Sequence, residues 1–233
     1  MIKSFKTAAE IVKASASLTG ADFTPTGLLL LDDSIETGRQ YKTLLLKSVD
    51  EVLQDYFANF PMQLQTVGSF RRVAEDFLGN GYFFALPEDL YSICSIIDKN
   101  NINTVLRKET SLANYLVSTD ACYYEEVGSF RAKNTSEEIL IHYISKAVFC
   151  DDIFAENRSL ELEGDNKYIL LDSLLLTYSI ARDYCLLEGE IASKTQYFAV
   201  EYKKRLDYLI NEANTDNNFV FDLNTNSMRR ARA

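Results

Sequence analysis

Residues 168–188 read YILLDSLLLTYSIARDYCLLE. Nearly every position is apolar, and Asp172, Ser179 and Asp183 fall on one narrow polar stripe. A helix that is apolar almost all round sits in the middle of a bundle, or between a bundle and a partner subunit. Asp172, Arg182 and Asp183 interrupt the run too often for a bilayer span, so this is a core helix. Past Gly189 the period continues. Ile191, Thr195, Phe198, Tyr202, Leu206 and Leu209 form the spine of a second helix, predicted to end near Ala213. Glu201 and Arg205 have the spacing of a favourable helical ion pair. The polar cluster Thr215-Asp216-Asn217-Asn218 closes the segment.

Toward the other end, Thr7-Ala8-Ala9-Glu10 has capping-box spacing ahead of Ile11 and Val12, and Leu18-Thr19-Gly20 reads as a helix stop. Pro25 and Gly27 punctuate the following turn. A longer helix is predicted from Asp33-Ser34-Ile35-Glu36. Tyr41, Leu45, Val49, Val52, Leu53 and Tyr56 lie on one stripe, with Lys47, Asp50, Glu51 and Gln54 opposite.

Between these helical ends the pattern changes. Met62-Gln63-Leu64-Gln65 alternates like a half-buried strand, and 82–86, 91–97, 103–106 and 139–144 are β-prone. Tyr123 to Val127, then Gly128-Ser129, then Phe130-Arg131-Ala132 reads as a hairpin. Residues 70–78 fit either a short helix or a strand. The predicted fold class is α+β: a helical bundle from the N- and C-terminal segments with a small, mainly antiparallel β domain inserted between. The expected boundaries are 1–60, 61–145, 146–214 and an arm at 215–233.

Composition narrows the chemistry. The 233 residues are 47% hydrophobic and 25% charged, with only 9 Gly and 3 Pro, which argues against a linker-rich chain. Against 34 acidic side chains stand 24 basic ones, a net charge of −10 that disfavours holding nucleic acid over the whole surface. The first twenty residues carry Lys13 and no unbroken apolar stretch, unlike a signal peptide. Cys94, Cys122, Cys150 and Cys185 form no Cys-x-x-Cys pair and are expected to be reduced, buried thiols. The one histidine, His142, lies in a strand candidate, which leaves little material for His-based catalysis or metal binding. Asp151, Asp152 and Glu156 have spacings that a magnesium-dependent hydrolase could use. Asp32, Asp33 and Glu36 more simply mark a helix start. Glu201-Tyr202-Lys203 resembles half of a nuclease motif but falls in a helix. No catalytic residue, metal or cofactor is expected.

Phe219-Val220-Phe221 and then Arg229, Arg230 and Arg232 close this acidic chain with aromatic and cationic side chains. They read either as a solvated tail or as a partner-binding arm that orders on docking.

The stretch Gly81-Tyr82-Phe83-Phe84-Ala85-Leu86-Pro87-Glu88-Asp89-Leu90-Tyr91 resembles a pattern in the head-to-tail adaptor family of short-tailed bacteriophages, also called connector or tail tubular protein A. There an aromatic segment precedes Leu-Pro-x-Asp-x-Leu and a strand. Here Leu86, Pro87, Asp89 and Leu90 carry the likeness. The order of elements is similar over most of the chain, although the family's usual Trp near Tyr56 or Phe57 is missing. The resemblance implies a structural virion protein at the head–tail junction, made in the host cytoplasm. It implies a ring, typically twelvefold, that binds the portal protein above and the tail nozzle below. Genomic DNA would pass the lumen without specific binding, and no membrane is involved. Portal binding would fall to Phe219, Phe221, Arg229, Arg230 and Arg232. A non-viral helical interaction module using the same arm is the alternative reading, with the magnesium-dependent hydrolase behind it.

Overall fold

The computed structural model describes residues 5–21, 36–152, 158–189 and 192–230, with the backbone alone described for 36–37 and 215–230. In chain order the elements begin with β1 (Lys6–Thr7), α1 (Ala8–Thr19), α2 (Glu36–Asn59) and a 3₁₀ turn (Pro61–Leu64). Then come β2 (Gln65–Arg71), β3 (Ala74–Asp76), β4 (Gly81–Ala85), β5 (Leu90–Asp98), β6 (Arg107–Lys108) and α3 (Leu112–Val117). The rest are β7 (Cys122–Glu126), β8 (Ser129–Lys133), β9 (Glu138–Ser145), β10 (Phe149–Cys150), β11 (Tyr168–Ile169), α4 (Ser173–Leu187) and α5 (Ala192–Arg230). The fold class is α+β. Two compact units divide the chain: Met1–Phe60 with Ala147–Ala233, and Pro61–Lys146.

In the first, helical unit, α4 packs against α1, α2 and α5. The predicted signals set the ends of α1. Thr7 Oγ1 accepts from the Glu10 amide at 3.3 Å, the Glu10 carboxylate accepts from the Thr7 amide at 2.9 Å, and Gly20 closes the helix at φ 73°. The stripe on α2 from Tyr41 to Tyr56 is buried as its period required. Two predicted boundaries move. The α4 helix starts at Ser173, not Tyr168, because Asp172 caps it by accepting from the Leu174 and Leu175 amides, both at 3.1 Å. Tyr168 and Ile169 instead form the middle strand of a small sheet, ordered β1-β11-β10. The α5 helix does not end at Ala213 but continues to Arg230. The 215–218 cluster is a poor helix former, yet only Gly or Pro interrupts decisively and none occurs in α5. At 1.5 Å per residue the helix is roughly 58 Å long.

The second unit holds a three-stranded sheet, β2-β9-β5, and a five-stranded one, β3-β4-β8-β7-β6. All pairs are antiparallel except β6–β7, which is parallel. Both sheets feed one core containing Phe84, Ile96, Phe130, Ile139, Ile141 and Tyr143. Phe84 stacks on Phe130 at 5.3 Å, and Tyr123 meets Phe130 edge-on at 6.0 Å. The hairpin predicted across Gly128 is β7–β8, with Glu126 opposite Ser129 and Gly128 at φ 76°. Of the strand expected at 62–65, Met62 to Leu64 lie in the 3₁₀ turn, since Pro61 suits the first helical position, and Gln65 opens β2. Residues 70–76 run from the end of β2 into β3, and Phe77 and Leu78 enter the turn that follows; their helical period is accidental, for Val73 and Phe77 are exposed. Residues 103–106 form a turn and a single bridge, Val105 to Ile97, ahead of β6.

Candidate functional site

The helix carrying the predicted docking residues is fastened to its neighbours by charge as well as by apolar contact. Phe198 is buried against Ala181 and Cys185 of α4. The Tyr202 hydroxyl donates to Asp55 of α2 at 2.5 Å. Arg205 reaches the α4 cap residue Asp172 at 2.6 Å. The expected pair between Glu201 and Arg205 does not form. Arg205 goes to Asp172, which is less exposed, and Glu201 accepts from Lys204 at 2.7 Å.

The polar stripe read from 168–188 is the seam between helices. Arg182 grips Glu51 of α2 at 2.7 and 2.8 Å, and Ser179 donates to the same carboxylate at 2.6 Å. Asp183, only 4% exposed, lies 2.6 Å from Lys47 and 2.8 Å from Arg182. Burial opposes ionisation of Glu51 and Asp183. The Arg182 contacts to both, with Ser179 on Glu51 and Lys47 on Asp183, outweigh it and hold each carboxyl below its usual range.

Phe219, Phe221, Arg229 and Arg230 belong to the last four turns of α5, so the predicted arm is a continuation of this anchored helix and not a segment set off by a turn. Arg232 lies outside the described residues.

Leu86, Pro87 and Asp89 lie in the link from β4 to β5, and Leu90 opens β5. The Pro87 carbonyl accepts from the Leu90 amide at 3.1 Å, and the Asp89 carbonyl accepts from the Lys146 amide at 2.7 Å. The Asp89 carboxylate accepts from the Tyr143 hydroxyl at 3.0 Å and from the Ser145 hydroxyl. Leu86 and Leu90 pack on the β core. This segment therefore ties the start of β5 to the end of β9.

Two residues of the hydrolase alternative, Asp151 and Asp152, lie on the surface. Asp151 is 84% exposed and pairs with Lys167 at 2.9 Å, Asp152 is also exposed, and Glu156 lies outside the described residues. Among the described residues no three His, Cys, Asp or Glu side chains are grouped to hold a metal ion. His142 sits mid-strand between Val67 and Ser95. Cys122, Cys150 and Cys185 are buried free thiols, whereas Cys94 is exposed, where the β5–β9 register slips between Ile93 and Ser95. Among the described residues no helix is long and apolar enough to cross a membrane. No protein-family model matches this chain, and no curated protein matches it.

Proposed function

We propose that this protein is a structural virion component, a head-to-tail adaptor that forms a ring beneath the portal and receives the tail. The observation that carries the reading is α5. It is anchored to α2 and α4 through Phe198, Tyr202 and Arg205, and it runs on as helix to Arg230. An anchored helix ending in aromatic and cationic residues suits docking into a partner's groove, with Phe219 and Phe221 as anchors and Arg229, Arg230 and Arg232 for acidic or carbonyl acceptors. The two-unit division supports the same reading, with a helical bundle built from both chain ends carrying an inserted β domain. So does the Leu86–Leu90 link between β4 and β5. A net charge of −10 repeated around a ring repels DNA and leaves it free to slide.

The test is compositional. In DNA-filled particles purified from a lysate that carries its coding sequence, the chain is expected at a fixed copy number per portal ring, measured by quantitative mass spectrometry. Filled, tailed particles without it overturn the reading. Removing residues 219–233 is expected to leave the fold intact by circular dichroism and abolish co-sedimentation with portal rings. Undiminished binding by the shortened chain rejects the role given to α5.

A further inference from the structure

The two sheets of the β unit end in the edge strands β2, β5, β3 and β6. Three of these are blunted. β3 has three residues and β6 has two. β5 slips register twice against β9, and residues 104–106 cover its far end: the Leu106 amide donates to the Ile96 carbonyl at 2.8 Å, and the Asp98 amide to the Thr104 carbonyl at 3.0 Å. Short edges, bulges and covering loops are how native sheets avoid pairing with another chain. β2 has none of these. It runs seven residues, Gln65–Arg71, without a register slip, and carries no Pro, no Lys and no charge on its core face.

The register decides which backbone groups of β2 are free. The Arg72 amide donates to the Glu137 carbonyl at 2.9 Å, one step beyond the Arg71–Glu138 pair. Bonded pairs alternate with unbonded ones along an antiparallel ladder, so Phe70, Gly68 and Thr66 bond to β9. Val67, Ser69 and Arg71 therefore aim their N–H and C=O groups away from it, and none of these groups has a backbone partner among the described residues. The side chains of the same three residues are exposed on the outer face of the sheet, Val67 by 52%.

This edge is complementary to itself. With two copies of β2 set antiparallel about Ser69, Val67 of each copy exchanges backbone bonds with Arg71 of the other, and the two Ser69 residues exchange bonds with each other. Every outward group of the three residues is then paired. Charge allows this register. Arg71 lies between its own cross-strand neighbour Glu138, which Lys99 also holds at 2.7 Å, and the uncharged Val67 of the second copy. Arg72 is taken by Glu75 and Glu137, so no like charges meet across the seam. On the core face each Phe70 falls opposite a Gly68. The Phe70 ring already lies across the Gly68 of its own strand, where a Cβ would be 2.5 Å from it, and a glycine opposite leaves the ring its space. Centring the pair on Arg71 would stack two guanidiniums, and centring it on Val67 would set Phe70 against Leu64, buried in the 3₁₀ turn. We propose that the free protein pairs with a second copy of itself through β2, joining two β2-β9-β5 sheets into one of six strands. A contact this narrow is weak, with dissociation in the micromolar range. A two-fold pair is not a ring contact, so the inference goes beyond the virion reading and does not rest on it.

Sedimentation equilibrium of the full chain is expected to show monomer and dimer exchanging with concentration, and nothing larger. Amide exchange followed by NMR should slow at Val67, Ser69 and Arg71 as concentration rises, while the Gly68 and Phe70 amides, protected by β9, stay unchanged. Val67→Lys sets a like charge opposite Arg71 of the second copy and is expected to weaken pairing at least about tenfold. Val67→Glu sets an opposite charge there and is expected to pair at least as tightly as the parent at low salt. Ser69→Pro removes an outward N–H without touching a bond to β9, and is expected to abolish the dimer. Circular dichroism checks each fold; should the proline variant not fold, the two Val67 variants and the amide pattern decide. A chain that stays monomeric up to millimolar concentration overturns the inference, as does a dimer that Val67→Lys leaves intact. Equal weakening by both charges, or protection that does not alternate along β2, also overturns it. So do species larger than a dimer, which would mean that β2 pairs with a different edge. Absence of the chain from DNA-filled particles defeats the virion reading and leaves every one of these measurements as it stands.

Discussion

The two units use their carboxylates differently. In the helical unit they join helices: Glu51 and Asp183 meet Arg182 and Lys47, Asp55 takes the Tyr202 hydroxyl, and Asp172 takes Arg205. Three of these contacts, Glu51–Arg182, Lys47–Asp183 and Asp55–Tyr202, join segments from opposite ends of the chain. In the β unit the aspartates tie corners: Asp76 at the end of β3, Asp89 ahead of β5, and Asp98 at the end of β5. Asp98 accepts from the amides of Asn100 and Ser136, both at 2.9 Å. These ties stay within one continuous segment around an aromatic core. One unit thus depends on distant segments meeting, and the other is self-contained.

Dividing the chain should expose that difference most sharply. Residues 61–146 expressed alone are expected to keep β-sheet circular dichroism and a cooperative melt. Residues 147–233 alone are expected to show neither stable tertiary structure nor a cooperative transition. Next in size, Phe130→Ala is expected to cost about 3–5 kcal/mol. Hydrogen exchange should place the loss in the β unit and leave α4 protected. Arg182→Met should do the reverse, weakening the helical unit by about 3 kcal/mol. That is the low end for a broken buried pair, because Glu51 stays partly in contact with water.

Acidity gives a smaller, graded test. Glu51 and Asp183 titrate lower folded than unfolded. Their stabilisation is therefore complete above the unfolded carboxylate range, near pH 4–4.5, and is lost as pH falls through their folded values. Denaturation midpoints of the helical unit should fall over that window, and more shallowly in Arg182→Met. Smallest of all, Glu201→Gln should be indistinguishable from the parent in denaturant, since Arg205 is held by Asp172. A clear loss would restore the pairing expected from spacing alone.

What could be read from the sequence was what neighbouring residues decide. The capping box at Thr7 and Glu10, the stop at Gly20, the α2 stripe and the hairpin at Gly128 each depend on a few adjacent positions. What could not be read depends on distant partners. Tyr168 and Ile169 look like helix until Lys6-Thr7 and Phe149-Cys150 flank them as strands. Arg205 chooses Asp172 over Glu201 only once α4 and α5 are side by side. The aromatic and cationic residues near the chain's end were visible, but their continuity with α5 was not, because weak helix formers at 215–218 look like a stop. One local signal was available for the β unit: Asn80-Gly81 is a turn dipeptide, and it marks the β3–β4 turn.

The division of the chain also sets an order of events at the ribosome. Everything the β unit needs has been made once Lys146 emerges, whereas α1 and α2 must wait for α4 and α5. At ordinary translation speeds residues 147–233 take roughly 4–17 s to synthesise. During that interval the buried faces of α1 and α2 have no permanent partner, so nascent chains stalled before α4 are the species a chaperone would meet.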